Sequence, residues 1–188
     1  YYASDGSKLK SGNYRNDKRE GIWTTWFENG QKLQEGTFEN DLETGQWLSW
    51  YETGKRKDEG SFVKGKMEGS WKGYYENGKP YYEGYKKDNV NEGKWTYFDI
   101  KGRKTKEINY HKGDEDGTTI YWYESGKIQQ EGKFSKGKRE GIWKFYYDFG
   151  GLLMQEKYKN SKLDGERITY FENGKKNSST SYLNGLQH

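Results

Sequence analysis

The chain has no cysteine, one proline and two histidines among its 188 residues. Without cysteine there are no disulfides, no thiolate metal sites and no cysteine nucleophile. No stretch approaches 18 consecutive apolar residues, which excludes a membrane-spanning helix. Aliphatic side chains are scarce: one Ala, two Val, seven Ile, nine Leu and two Met. So few cannot fill a close-packed interior between two layers of secondary structure. Neither sign of charge dominates, since 33 basic and 29 acidic residues are finely interleaved. That describes a solvated mixed surface and not a basic arm for nucleic acid. What is abundant excludes disorder, because eight Trp, 18 Tyr and eight Phe are the opposite of a disordered composition. The 26 glycines follow no three-residue rule, so collagen is excluded too. A β-rich structure remains, its core built from aromatics and glycine.

The glycines keep time. Gly21, Gly45, Gly69, Gly93, Gly117, Gly141 and Gly165 are spaced by 24 residues without a slip. A second series with the same period runs from Gly6 through Gly30 and Gly54 to Gly174, and a broken third holds Gly12, Gly36, Gly60, Gly84 and Gly132. A fourth phase, Asp17, Asp41, Gly65, Asn89, Gly113, Gly137, Ser161 and Gly185, consists of turn formers. Aromatics follow the same clock. Trp23, Trp47, Trp71, Trp95 and Trp143 sit two residues after the leading glycine, with Thr119 and Arg167 as exceptions. Pairs follow at Trp26-Phe27, Trp50-Tyr51, Tyr74-Tyr75, Trp122-Tyr123, Tyr146-Tyr147 and Tyr170-Phe171, slipping to Tyr97-Phe98 in the fourth full unit. A last aromatic recurs at Phe38, Phe62, Tyr110, Phe134 and Tyr182.

Such glycine density would break helices, so each unit reads as a β-hairpin. Asn-Gly at 29-30, 77-78 and 173-174 is the sequence favoured by a two-residue type I′ turn. That turn sets Trp26 opposite Leu33, Trp23 opposite Gly36 and Gly21 opposite Phe38. Alternation then places Gly21, Trp23, Thr25, Phe27, Gly36 and Phe38 on one face, with Ile22, Thr24, Trp26, Leu33 and Glu35 on the other. A Trp lying over its cross-strand Gly covers the bare backbone, and repetition stacks Trp23, Trp47, Trp71, Trp95 and Trp143 into a structural ladder. The expected fold is an all-β repeat protein, an elongated, twisted, single-layer antiparallel sheet of stacked hairpins, with about 14 to 15 strands. Residues 1–188 form one array: a partial repeat at 1–20, full repeats starting at 21, 45, 69, 93, 117 and 141, and an atypical, capping repeat at 165–188.

The stretch from Gly21 to Phe38, Gly-Ile-Trp-Thr-Thr-Trp-Phe-Glu-Asn-Gly-Gln-Lys-Leu-Gln-Glu-Gly-Thr-Phe, resembles the bacterial variant of the MORN repeat, and the units from Gly45, Gly69 and Gly141 resemble it equally. The resemblance implies stacked hairpins in an elongated, curved sheet. Bacterial proteins of this kind are grouped with YwqK-type antitoxins, which implies a non-enzymatic protein that neutralises a toxin by binding it. MORN arrays elsewhere are scaffolds, some associated with membranes or phosphoinositides. The period of 24 residues and the tandem aromatics depart from the eukaryotic pattern, so lipid binding does not carry over with the resemblance.

Little here suits catalysis. His111 falls in a turn phase and His188 is terminal; neither has the company an acid–base or metal role needs, so no catalytic residue, metal or cofactor is expected. Glu20, Glu68, Glu92, Asp116, Glu140 and Asp164 all precede a leading glycine, where a structural role at the hairpin junction outweighs a ligand-facing acidic row. No helix follows the glycines, so they are not a phosphate loop. The equal density of carboxylates argues against nucleic acid. Binding by aromatic rows remains. The candidate partner-binding row is Trp26, Trp50, Tyr74, Trp122 and Tyr146, expected to grip a protein along a trough. The alternative is an envelope or surface protein that binds glycan or lipid head groups through the same face. The compartment stays open between the bacterial cytoplasm and the envelope after removal of a leader.

Overall fold

A computed structural model describes residues 1, 2, 6 and 8–188; the remaining four residues of the partial leading repeat lie outside the described residues. Among the described residues there is no helix, hence none long and apolar enough to cross a membrane. The fold class is the expected one, an all-β repeat array of antiparallel hairpins. The chain forms two compact units.

The first unit, Tyr1–Asn91 with Ile100–Gly102, contains β1 (Lys10–Arg15), β2 (Lys18–Trp26), β3 (Lys32–Glu39), β4 (Leu42–Trp50), β5 (Arg56–Val63), β6 (Lys66–Met67), β7 (Gly69–Tyr74) and β8 (Pro80–Lys87). They pair antiparallel in chain order, β5 contacting both β6 and β7. The second unit, Glu92–Asp99 with Arg103–His188, holds most of β9 (Val90–Phe98), then β10 (Lys104–His111), β11 (Asp114–Trp122), β12 (Ile128–Ser135), β13 (Lys138–Tyr146), β14 (Leu152–Lys159), β15 (Lys162–Tyr170), β16 (Lys176–Leu183) and β17 (Leu186–Gln187). These too pair with their chain neighbours. The strand number exceeds expectation because Glu68 interrupts one strand to give β6 and β7, and the chain end returns as β17.

The type I′ turn does not fall at Asn-Gly, where it was expected. Positive φ at both central residues, the mark of type I′, occurs at Asn40 (52°) and Asp41 (71°), in the phase that joins one hairpin to the next. At Asn29-Gly30 only Gly30 has positive φ, 83°. There Phe27 N–H donates to the Gln31 carbonyl at 2.8 Å and Gly30 N–H to the Phe27 carbonyl at 3.0 Å. The loop therefore has three residues, with Gly30 in the left-handed position that such loops require. A longer loop shifts the register, so Trp26 pairs with Lys32 and not with Leu33. A bulge at Leu33 then restores it: Thr25 meets Gln34, Trp23 meets Gly36 and Gly21 meets Phe38, as expected.

The tryptophan rings do not cover the glycines within their own hairpins. Gly36 is the register partner of Trp23, yet the ring seated on it belongs to Trp47 of the next hairpin: a Cβ built on Gly36 would lie 2.1 Å from Trp47 Cδ2. Gly12 under Trp23, Gly60 under Trp71 and Gly132 under Trp143 repeat the arrangement. The β3–β4 register jumps at this point, Glu35 pairing with Leu48 but Thr37 with Thr44, so that Gly45, Gln46 and Trp47 oppose Gly36 alone. Nor do tryptophans stack on one another. Tyr14, Trp23, Phe38, Trp47, Phe62 and Trp71 alternate edge to face with centroids 5.0–6.1 Å apart, the geometry that ring quadrupoles favour. In the second unit Trp143 lies edge-on between Phe134 and Tyr158.

The exceptions confirm the rule. Where Thr119 replaces the tryptophan, the glycine eleven residues earlier becomes Ile108, and both are 1% exposed. Where Arg167 replaces it, the glycine becomes Glu156, which is 6% exposed, ion-paired to Arg167 at 3.3 Å and accepting the Tyr158 hydroxyl at 2.6 Å. In both places the two residues pair directly in register. Ring-on-glycine is thus one exchangeable unit. Gly36→Ala is expected to destabilise the protein by about 1–3 kcal/mol through overpacking and to be nearly neutral in a Trp47→Ala background. Urea unfolding of the four-member cycle measures it, and an equal cost in both backgrounds would refute the seat.

Candidate functional site

Period-two alternation puts Trp23 and Trp26 on opposite faces. On the face away from the ladder, Thr24 and Glu35 are cross-strand partners, and the Thr24 hydroxyl donates to Glu35 Oε2 at 3.0 Å. Trp26 shares that face, followed one repeat on by Trp50 and then Tyr74. All three rings are half-buried, as are Trp122 and Tyr146 in the second unit. The structure therefore places the expected row on the second face, three members in one unit and two in the other.

Each ring is braced by charge. Lys8 Nζ stands 4.5 Å over Trp26. Lys32 Nζ and the Arg56 guanidinium stand 5.5 and 4.9 Å from the Trp50 ring, and Lys104 Nζ is 5.8 Å from Trp122. Such contacts are worth about 0.5–1 kcal/mol at exposed sites. Two of these cations are themselves paired, Lys32 with Glu35 and Lys104 with Glu107, both at 2.6 Å. The Lys32 hydrogen bond, helped by that of Thr24, holds the Glu35 carboxyl below its usual range. Where the ring is tyrosine its hydroxyl serves instead: Tyr74 donates to Glu59 and Tyr146 to Glu131, each at 2.7 Å. Burial, then the hydrogen bond and charge of these carboxylates, pushes both phenols up to about 12.

The bracing cations were not foreseen from sequence. Their signal is a position eighteen residues before each ring, Lys8 for Trp26, Lys32 for Trp50 and Lys104 for Trp122. A second cationic feature lies on the ladder face, where the Arg19 guanidinium stacks 3.8 Å from Phe38 and that of Arg139 lies 4.2 Å from Trp143. The acidic row proves structural. Glu20, Glu68, Glu92, Asp116, Glu140 and Asp164 each accept the backbone N–H of the residue twenty positions later, at 2.7–3.4 Å. His111 is not in the turn but is the last residue of β10, its Nδ1 3.0 Å from Glu92. Among the described residues no cluster of His, Asp and Glu is suited to a metal ion. The row offers flat, partly exposed rings bordered by charged side chains.

A family model described as MORN repeat variant matches residues 19–40, 43–64, 67–87, 115–136, 139–160 and 163–184, well over half of the chain. The unmatched stretch 88–114 contains the slipped pair Tyr97-Phe98. No curated protein matches the chain.

Tyr74 and Tyr146 make stability fall in alkali. The folded chain keeps their protons up to about pH 12 while the unfolded chain loses them near pH 10, so the stabilisation is complete below about pH 10 and disappears as pH rises towards 12. Urea midpoints followed over that window should drop less steeply in the Tyr74→Phe, Tyr146→Phe double variant than in the parent; parallel slopes would show that these hydroxyls carry no linkage.

Proposed function

The chain belongs to the MORN repeat variant family, and from that premise we propose that it is a non-enzymatic scaffold that binds a protein partner through the row Trp26, Trp50, Tyr74, Trp122 and Tyr146. The observation that supports this reading is the recurrence of half-buried, charge-braced rings at one position of successive repeats. Aromatic side chains held rigid, with polar neighbours at the rim, are the anatomy of binding hot spots. The ladder rings cannot serve this way, since Trp23, Trp47, Trp71, Trp95 and Trp143 are at most 8% exposed.

The finer reading is an immunity-like role, in which the array neutralises a toxic partner by occupying the surface that partner needs. Within each unit, successive repeats add contacts additively, which suits such obstruction. The lipid or glycan alternative on the same row gains nothing from the structure, because Lys32 and Lys104 are each committed to a carboxylate.

Affinity capture with the purified chain from its native host should return one dominant protein. Trp26→Ala, Trp50→Ala and Trp122→Ala are each expected to weaken that complex by about thirty-fold, or about 2 kcal/mol, with the fold retained and stability lowered only by the ring's own contacts, about 0.5–1 kcal/mol. Variants that melt early would return these rings to a purely structural role, and variants that bind normally would end the proposal.

A further inference from the structure

Charges of both signs are interleaved along most of the chain, but one stretch of the second unit departs from that pattern. Residues 133–166 hold eight basic and five acidic side chains, whereas the equivalent residues four repeats earlier, 37–70, hold five basic and seven acidic. Six lysines make the difference. Lys133, Lys136, Lys138, Lys157, Lys159 and Lys162 occupy positions that hold Thr37, Asn40, Leu42, Ser61, Val63 and Lys66 in the first unit. There Lys66 is neutralised by Asp88 at 2.7 Å. All six lysines of the second unit are exposed, and among the described residues none of them is ion-paired.

Alternation puts Lys133, Lys138, Lys157, Lys159 and Lys162 on the face that carries Tyr146, away from Trp143, and Lys136 lies in the turn between β12 and β13. Three carboxylates share this stretch of the face, Glu140, Asp164 and Glu166, so positive charge is in excess. The excess is costly. Lys159 and Lys162 stand directly opposite each other in the β14–β15 register, and like charges so placed destabilise a sheet. The repeat does not require them, since the same two positions hold Glu39 with Leu42 and Val63 with Lys66. Lys157 is held in place by its stem, which crosses Gly165 so closely that a Cβ built there would lie 2.8 Å from Lys157 Cδ. Among these lysines is an apolar site. A hollow of about 460 Å³ is lined by Thr118, Gly132, Gly141 and Ile142, and Ile142 is 50% exposed. The charges that border the hollow compensate one another, Lys133 and Lys144 against Glu131 and Glu140.

We propose that this face of the second unit receives an acidic segment of a protein partner, with an apolar side chain of that segment in the hollow beside Ile142 and its carboxylates on the surrounding lysines. The inference rests on the protein-binding role proposed above and adds the chemistry of the partner. An apolar centre within a charged rim is the anatomy of a protein interface. A positive field selects a negative partner and speeds its approach. A nucleic-acid backbone or a layer of lipid head groups fits less well, because neither brings an aliphatic side chain to the hollow. Nor does an arginine, the side chain whose fork matches phosphate, reach this face: Arg139 lies over Trp143, and Arg167 pairs with Glu156 on the ladder side.

The test starts from a random dodecapeptide library displayed on phage and selected on the intact chain. Peptides recovered should carry Asp or Glu on both sides of an apolar residue, and the strongest, made synthetically, should lose affinity as salt rises. The Lys133→Glu, Lys157→Glu double variant is expected to bind it roughly ten-fold more weakly, and Ile142→Ser several-fold, while Lys66→Glu in the first unit leaves binding unchanged. Lys162→Glu turns a like pair into an opposite one, so it should raise the urea midpoint and weaken binding together, a combination that a purely structural lysine does not give. Selection of peptides without acidic residues, or affinity indifferent to the double variant, would overturn the inference and leave the aromatic row to its own test by Trp122→Ala. Binding of phosphatidylserine vesicles or of a single-stranded dodecanucleotide, lost in the double variant and not competed by any selected peptide, would overturn it as well.

Discussion

An indole ring seated on the bare backbone of the preceding strand is the contact on which the whole array depends. A single-layer sheet has no opposing layer to bury its apolar face, so it must bury rings against itself. The flattest way is to lay each Trp over a residue without a side chain, and Gly36 with a hypothetical Cβ 2.1 Å from Trp47 shows how little room there is. The rest of the period follows. The ring needs a bulge to swing onto its seat, the bulge needs positive φ at the leading glycine, 66° at Gly45, and Phe38 or Phe62 then fills the space between successive rings edge to face.

Neighbouring hairpins are also stitched along both turn edges, so coupling runs from each repeat to the next. At the type I′ turns, Asp41 accepts from the Arg19 backbone N–H at 2.8 Å and returns its own N–H to the Arg19 carbonyl at 3.1 Å. At the three-residue turns, Asn29 donates to the Glu52 carbonyl and Asn77 to the Ile100 carbonyl, while Tyr51, Tyr123 and Tyr147 each reach the carbonyl of the ring residue in the following repeat. The acidic row before the leading glycines belongs to the same stitching. Six carboxylates at equivalent positions therefore needed no ligand to explain them.

Period, hairpin identity and the pairing of Trp23 with Gly36 were legible in the sequence because glycine and aromatic phases repeat without slippage. Which Trp covers which Gly was not. Every strand lies between two partners, and a glycine row of fixed period is equally compatible with a ring from either side. The turn types were misplaced for a related reason. Asn-Gly favours type I′, but a three-residue loop also needs a left-handed residue at its end, and Gly30 satisfies either. The compensating bulge at Leu33 hid the error, since two opposite shifts of one residue leave Gly21 facing Phe38 as expected. The half-buried row was readable from alternation alone; its bracing by Lys32 and Arg56 was not, because a lysine or arginine on a strand reads as an ordinary solvated residue.

The internal exceptions show where such an array can change. Ile108 with Thr119 and Glu156 with Arg167 replace glycine and tryptophan together, so the ladder tolerates substitution only in pairs. The positions beside it carry no such constraint: Thr25, Ser49, Gly73 and Thr169 stand where Tyr97, Tyr121 and Phe145 stand in other repeats. Since each repeat is coupled mainly to its neighbours, a change of size there alters one stretch of surface and leaves distant repeats undisturbed. Divergence of surface shape is thus inexpensive beside the ladder and costly within it, and differences of recognition between arrays of this kind should concentrate in the flanking rows.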